Sequence, residues 1–179
     1  WYPAGTSGWY YEGVFTDQMP DLALENGQVR TEIEQAAAFW LNRGVDGFRL
    51  DAVKEYVSGS PAANIEILSW FSDFTKSVNP DVYLVGEAWE TNAVTLSAYY
   101  ESGMTSFFDF PLAQTTGSVA IAVNRGTGES LAALFTRAQE IYGAVDPNFI
   151  DAPFLSNHDT SRISAHYVND ARKMKFAAG

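Results

Sequence analysis

Residues 44–55 read GVDGFRLDAVKE, and the fold class can be inferred from this segment. Gly44 ends a helical pattern, as glycine commonly does just beyond a helix. Gly47–Leu50 is short and extended, which predicts a strand with Asp51 at its carboxyl end. Arg49 lies two residues before Asp51 and therefore on the same face of that strand. A charged pair is an unusual core feature, and in barrels of alternating strands and helices the active site lies where the strands end.

The overall composition excludes several classes of function. The chain has 179 residues with 46% hydrophobic content, and no apolar run is long enough to cross a bilayer. The net charge of -11 argues against a nucleic-acid partner, because phosphate binding requires clustered Lys and Arg. The absence of cysteine excludes a disulfide framework and a thiolate nucleophile, and two histidines argue against zinc. Secretion and a cytoplasmic location both fit this composition, and the oligomeric state cannot be inferred.

Strand and helix patterns alternate along the chain without a tight hairpin signal, which predicts a parallel α/β architecture. The first 27 residues have no sustained periodicity and read as loop-rich. The predicted elements after them are a helix over Val29–Arg43 with Trp40 on its apolar stripe, a helix from Ser60-Pro61 to Asn79, a strand over Val82–Glu87, a short helix between Asn92 and Glu101, a strand over Thr105–Phe110, a helix from Leu131 to Gly143, a strand over Ala152–Ser156 and a helical pattern over Asn169–Gly179. Gly126-Thr127-Gly128 reads as a plain turn.

Three acidic side chains, Asp51, Glu87 and Asp159, each follow a predicted strand. A single acid at a strand end could have a purely structural role: Asp51 alone could cap a helix or form an ion pair with Arg49. The carboxyl ends of parallel strands share one face of a sheet, so we expect the three acids to converge. Their repulsion raises at least one pKa and keeps one carboxyl protonated beside an ionised one. Cleavage of a glycosidic bond requires such a pair.

Two further side chains fit this interpretation, and one other enzyme class remains open. Arg49 is placed to keep Asp51 ionised, and His158 is placed to donate a hydrogen bond to a sugar hydroxyl. Carboxylate triads at strand ends also bind Mg²⁺ in the enolase superfamily. Those acids come from consecutive strands, whereas the predicted strand ending at Asp109 separates Glu87 from Asp159. The magnesium interpretation is therefore second among the enzyme classes.

The segments GFRLDAVK (47–54), VGEAW (85–89) and FLSNHD (154–159) resemble three motifs of the α-amylase family of retaining glycoside hydrolases. They occur in the family's order, on the strands that the family would number four, five and seven. The segment MPDL (19–22) resembles a further motif at the end of that family's inserted loop-rich domain. This resemblance covers essentially the whole chain.

The resemblance implies a role for each residue of these motifs. Asp51 would be the nucleophile, Glu87 the general acid/base and Asp159 the stabiliser of the transition state. Among the substrate-binding residues, Arg49 and His158 would contact the nucleophile and the sugar, and Lys54 would reach the leaving-group side. Asn157 and Trp89 belong to the same motifs and complete the set of candidate substrate-binding residues.

The resemblance also implies a domain organisation. Residues 1–27 would end the inserted domain, and residues 28–179 would form part of a (β/α)8 TIM barrel, about strands four to seven with their helices. A closed barrel takes about 250 residues, so we expect an internal piece of a catalytic domain that is inactive alone. Glu55 stands where many members have a histidine whose carbonyl helps to bind structural calcium. A calcium ion is therefore only weakly indicated, and no organic cofactor or catalytic metal is expected.

The predicted activity is cleavage of α-glucosidic bonds in starch-like α-glucans or malto-oligosaccharides through a covalent intermediate. A transglycosylase of the same family is the first alternative, because loops outside these motifs choose between water and a sugar as acceptor. A non-catalytic barrel kept only for interaction is the second. That alternative is disfavoured, because such relatives lose catalytic acids whereas Asp51, Glu87 and Asp159 are all present.

Overall fold

The computed structural model describes residues 1–168 and 170–178. The loop-rich amino-terminal part carries only a two-residue antiparallel ladder, β1 (Tyr2–Pro3) with β2 (Tyr10–Tyr11). The remaining strands and helices, in chain order, are α1 (Gly27–Leu41), β3 (Gly47–Leu50), α2 (Pro61–Val78), β4 (Tyr83–Gly86), α3 (Ala93–Ser97) with a 3-10 helix (Ala98–Ser102), β5 (Ser106–Phe108), α4 (Ser118–Arg125), α5 (Gly128–Val145), β6 (Ile150–Ala152), α6 (Ile163–His166) and α7 (Ala171–Ala178).

The strands β3, β4, β5 and β6 form one parallel sheet in which each strand pairs with the next along the chain. Each connection between them contains at least one helix. This order is that of consecutive strands in a β/α barrel, so the predicted parallel α/β architecture is confirmed. All four carboxyl ends lie at the same edge of the sheet. The candidate acids belong to the loops that leave the sheet at this edge.

The main core lies between the sheet and the helices that pack on it. Leu84 and Phe107 of the sheet are fully buried there. Tyr100 packs edge-on against Phe107, and its hydroxyl accepts a hydrogen bond from the Phe107 N–H at 3.3 Å. Other buried members of this cluster are Leu41, Val53, Leu68, Val82, Leu96, Tyr99, Met104 and Tyr142. The core therefore fixes the helical layer directly behind the strands that carry the site.

Helix α1 forms as predicted, but its buried face is narrower than the predicted stripe. The Asn26 side chain caps its first turn by accepting a hydrogen bond from Gln28 N at 2.8 Å. Ala37 and Leu41 are buried. Trp40 is 52% exposed, and its ring packs edge-on against the neighbouring Phe39 instead of entering the core. The prediction that Trp40 packs inward is therefore wrong within this chain.

Two other expectations differ from the structure, at α5 and β6, and one helix, α4, had no counterpart in the predicted elements. Gly143 lies inside α5 and does not end it, because its backbone is not left-handed and the helix continues to Val145. Strand β6 ends at Ala152, before Pro153, since proline cannot donate to a sheet ladder. Helix α4 was not predicted from the sequence.

Two expectations about turns and ends can also be compared. Gly126 has a left-handed φ of 68° just after α4, as expected for a plain turn. Helix α7 lies within the predicted pattern over Asn169–Gly179, whose two terminal residues are outside the described residues. No helix in the described part of the chain has the length and apolar character needed to cross a bilayer.

Candidate active site

Asp51 and Glu87 begin the loops that follow β3 and β4, and main-chain hydrogen bonds hold these loops together. The Glu87 N–H donates to the Leu50 carbonyl at 2.9 Å, and the Val53 N–H donates to the Glu87 carbonyl at 3.0 Å. Between these contacts, Ala52 has a φ of 44°, a left-handed conformation that side chains rarely adopt. The turn after β3 is therefore strained, and the paired strands over-determine it.

Arg49 bridges the two carboxylates. Its Nη1 lies 2.6 Å from Asp51 Oδ1, and its Nη2 lies 3.1 Å from Glu87 Oε2. The expected placement of Arg49 beside Asp51 on one face of β3 agrees with this geometry. A planar guanidinium with two donors on one edge suits the fixing of two acids relative to each other. Their separation is thus set by a rigid group.

The two bridged acids lie in opposite environments. The Asp51 side chain is 74% exposed, whereas that of Glu87 is 7% exposed. Burial raises the pKa of Glu87, the Arg49 charge and the Ala52 N–H at 3.3 Å lower it, and contact with Asp51 raises it again, so the pKa is raised on balance. Glu87 Oε1 has no hydrogen-bond partner among the described residues. A buried carboxyl of this kind retains its proton more readily than a solvated one does.

His158 and Asp159 reach the same cleft from the loop after β6. Asp159 does not follow the strand directly, because β6 ends earlier than predicted. His158 Nε2 lies 3.1 Å from Asp159 Oδ2. The Asn157 side chain accepts a hydrogen bond from the Asp159 N–H at 3.1 Å, so its carboxamide oxygen shapes this turn. Asn157 lines an adjoining, smaller cleft with Arg49 and Glu87.

Lys54 and Trp89 connect the loops after β3 and β4 within the site. The Lys54 ammonium donates to the Trp89 carbonyl at 2.8 Å and lies 3.4 Å from Glu90 Oε2. The Trp89 ring stacks on Phe110 with centroids 4.7 Å apart and remains 43% exposed. An exposed, supported indole is a flat platform on which a sugar ring can stack.

The cleft enclosed by these groups has a volume of about 520 Å³. All three predicted acids line it, and its wall is completed by side chains from the loop-rich part of the chain and from the loops after β3, β4 and β6: Phe15, Met19, Ala52, Lys54, Glu55, Trp89 and His158. This volume and this mixture of aromatic and charged groups are typical of a small-molecule site.

Some residues of the site were not predicted from the sequence. Glu90 pairs with Lys54 across the two loops, and no local pattern marks that contact. For Phe15 and the other aromatic residues of the loop-rich part, packing under a loop is the commoner expectation and stacking on a ligand the alternative; Phe15 is 57% exposed and lines the cleft. The run of aromatic residues before Gly27 was the one available signal for such a wall.

No group of three or more His, Cys, Asp or Glu side chains in residues 1–168 and 170–178 has the geometry of a metal site. The calcium expectation, with the Glu55 carbonyl as one ligand, therefore has no supporting cluster of such side chains among these residues. Calcium stays a prediction.

Comparison with known proteins identifies the family. The family model described as "Alpha amylase, catalytic domain" matches residues 1–178. Alpha-amylase 3 of Dictyoglomus thermophilum is 41% identical over 168 residues, which is 93% of this chain and 32% of that protein.

Solved structures lead to the same family. Amy13B of Eubacterium rectale superposes with a TM-score of 0.90 at 36% identity, over 97% of this chain and 34% of that one. An α-amylase from H. orenii gives a TM-score of 0.79 at 34% identity, over 94% of this chain and 34% of that one. The chain spans about a third of the length of these relatives. With a strand order and a cleft that also fit, it belongs to the family of α-amylase catalytic domains.

Proposed function

We propose that this chain carries the catalytic centre of a retaining glycoside hydrolase that cleaves α-glucosidic bonds in starch-like α-glucans or malto-oligosaccharides. The observation that carries the proposal is the Arg49 bridge, which joins an exposed carboxylate to a buried one in a single cleft. Retention requires one acid to attack the sugar while the other transfers a proton. The opposite environments of Asp51 and Glu87 suit that division of labour.

In the first step, an Asp51 oxygen attacks the anomeric carbon and the bond to the leaving oxygen breaks. Glu87 gives its proton to that oxygen, so the departing sugar leaves as a neutral alcohol. In the second step, Glu87 takes a proton from water, and the resulting hydroxide displaces Asp51 from the sugar. The donated proton is thereby replaced, and two inversions give net retention. Burial of Glu87 supports its role, because a raised pKa keeps the acid loaded.

The remaining side chains would bind the sugars. Asp159 and His158 would accept and donate hydrogen bonds at the hydroxyls of the sugar under attack. Lys54 and the Trp89 platform line the same cleft as Glu87 and would hold the leaving sugar. Arg49 would orient the nucleophile and keep Glu87 beside it. Substrate positioning of this kind supplies much of the rate enhancement in such sites.

Transfer to a sugar acceptor is the second candidate. The same Trp89 platform that would hold a leaving sugar would also hold an incoming one, since both occupy the same side of the cleft. A sugar hydroxyl would then replace water in the second step, and Glu87 would deprotonate it in the same way. Product analysis separates the two activities.

The test uses the full-length natural protein on soluble starch, with reducing ends counted over time. We expect release of reducing sugar, and a loss of at least about 10²-fold in Glu87→Gln, because the amide cannot donate the proton. Glu101→Gln, an exposed acid on the 3-10 helix, is the matched control and should retain full activity.

Three results would count against parts of this proposal. No cleavage of glucan or malto-oligosaccharide by the natural protein would contradict the glycosidase assignment. Longer oligosaccharides without new reducing ends would favour the transferase. Full activity in Glu87→Gln would remove Glu87 from the mechanism.

A further inference from the structure

The loop between β3 and α2, residues 51–60, carries Asp51 and Lys54 but contains no regular secondary structure. Its main-chain groups must therefore find hydrogen-bond partners elsewhere. The first part of the loop is fixed by the Val53 N–H, which donates to the Glu87 carbonyl at 3.0 Å. From Lys54 to Val57, no main-chain N–H of the loop donates a hydrogen bond to β4 or to the loop after it, among the described residues. A side chain from α2 holds this segment.

Asn64 lies in the first turns of α2 and is 1% exposed. Its Oδ1 accepts a hydrogen bond from the Val57 N–H at 2.7 Å, and its Nδ2 donates to the Lys54 carbonyl at 2.6 Å. One carboxamide thus satisfies an acceptor and a donor at the two ends of a four-residue segment. An uncharged amide provides both kinds of group, which an aliphatic side chain cannot do.

The clamped segment is the one that directs the Lys54 side chain across the cleft. Lysine has a long flexible stem, so its ammonium has a defined position only if its main chain is fixed. Here the ammonium reaches the Trp89 carbonyl and Glu90, on the loop after β4. Asn64 is not one of the residues that line the cleft. Of the two main-chain groups that Asn64 bonds, the Lys54 carbonyl belongs to a cleft-lining residue, so Lys54 is the direct route from Asn64 to the cleft.

We propose that Asn64 is a positioning residue: it clamps the Lys54–Val57 segment so that Lys54 is held on the leaving-group side of the cleft. The inference rests on the proposed glycosidase function. It assigns part of the leaving-sugar subsite to a buried amide in the helical layer behind the sheet. A role confined to stability would instead weaken the protein without changing which leaving groups it prefers.

The test compares two substrates in the full-length natural protein. Maltohexaose has a sugar as leaving group, whereas 4-nitrophenyl α-maltoside releases a nitrophenolate that needs neither a sugar subsite nor Lys54. We expect Asn64→Ala to lower the ratio of kcat/KM for maltohexaose to that for the aryl glycoside by about tenfold, because the leaving sugar is misplaced. Ser72→Ala is the matched control. It removes a buried hydroxyl from the same helix, bonded to the Gly103 carbonyl, and should leave the ratio unchanged.

A double-mutant cycle tests whether the effect passes through Lys54. Lys54→Met should lower the same ratio, and adding Asn64→Ala to it should have little further effect, because residues that act through one group are not additive. Full additivity of the two losses would overturn the proposal. An unchanged ratio in Asn64→Ala would overturn it as well.

Asn64→Asp supplies a second variant with nearly the same shape. Its protonated carboxyl can donate to the Lys54 carbonyl and accept from Val57, as the amide does, whereas its ionised form can only accept. We therefore expect the substrate ratio of Asn64→Asp to recover as the pH falls, relative to the natural protein at each pH. A flat ratio would contradict the clamp. If both Asn64 variants only fail to fold, Asn64 is a core residue and the positioning role is overturned.

The failure of this inference can be told apart from the failure of the proposed function. If the natural protein cleaves neither substrate, the glycosidase proposal fails and this inference fails with it. If it cleaves both and the ratios do not respond to Asn64, only the positioning role is wrong.

Discussion

Arg49 makes the two carboxylates of the site dependent on each other. Removal of its charge leaves the buried Glu87 with the Ala52 N–H as the remaining stabiliser of its ionised form among the described residues. Because the Arg49 charge lowers the pKa of Glu87, its loss raises that pKa further. The protonated acid then persists to higher pH. Asp51 loses the group that orients it at the same time.

We predict that Arg49→Met moves the basic limb of the kcat/KM profile to higher pH and lowers the maximum by about 10²-fold or more. The profile should be measured with malto-oligosaccharide in the full-length natural protein. Arg43→Met, which removes an exposed arginine at the end of α1, should leave the profile in place. An unmoved basic limb in Arg49→Met would show that Glu87 does not set it.

The sequence predicts the position of a single residue well when the residues next to it in the chain mark the element that carries it. Asp51 and Glu87 follow short strands that are recognisable from a few neighbouring residues, and they lie as expected. Glu90 and Asn64 are different, because their partners are separated from them in the chain or depend on how a loop folds back. The need for Gly47 is equally hidden: a Cβ there would lie 1.8 Å from the Tyr83 carbonyl of the paired strand.

A second pair of acids lies between the sheet and α5, away from the cleft. Asp109 follows β5 and is fully buried, and Asp151 lies in β6. Tyr142 and Gln139 of α5 face the pair, with the Tyr142 hydroxyl 3.4 Å from Asp109 Oδ1 and Gln139 Nε2 3.1 Å from Asp151 Oδ2. Tyr100 of the 3-10 helix lies close to both acids. Asp109 Oδ2 and Asp151 Oδ1 have no other partner in the described part of the chain, so one shared proton would satisfy both.

This pair predicts a pH dependence of stability. Burial and the neighbouring Asp151 raise the pKa of Asp109 to about 7, from an unfolded value of about 3.8. The folded state therefore holds a proton that the unfolded state has released between these values, and stability falls as the pH rises from about 4 to about 7. We expect Asp109→Asn to flatten this dependence and to raise stability at pH 8 by on the order of 2 kcal/mol.

The measurement is the unfolding midpoint of the full-length natural protein and its variants at pH 5 and pH 8. Asp73→Asn, an exposed acid on α2, is the matched control and should follow the natural protein at both values. If Asp109→Asn lowers stability equally at both pH values, the two carboxyls do not share a proton.

The apolar patterns of the sequence predicted α1, α2, β3 and β4 correctly but placed β6 wrongly. Helices α1 and α2 and strands β3 and β4 carry their own apolar patterns, and α1 begins at a capping Asn26 and α2 at Pro61. Strand β6 was placed too late because Phe154 and Leu155 look like strand residues. Phe154 instead packs edge-on against Phe110, the ring that supports Trp89. Its apolar character therefore serves the site and not the sheet.

At the scale of the whole molecule, the sheet has two open edges. Strand β3 pairs only with β4, and β6 pairs only with β5, among the described residues. Unpaired N–H and C=O groups at such edges favour association with other chains. The exposed Phe39 and Trp40 of α1 add apolar surface to the chain. In the relatives, about two thirds of the chain lies outside the matched region.

We therefore predict that these 179 residues, expressed alone, self-associate and do not cleave α-glucan. Both effects have one cause, because the open edges that recruit other chains are also where further walls of the cleft would attach. Light scattering after size exclusion and a reducing-end assay on soluble starch would measure the two properties together, with the full-length natural protein as the control. A monomeric, active 179-residue chain would contradict the prediction and would show that the Asp51, Glu87 and Asp159 cleft is sufficient by itself. An inactive monomer would separate the causes: the edges would then be protected within the chain, and the missing activity would point to sugar-binding groups elsewhere.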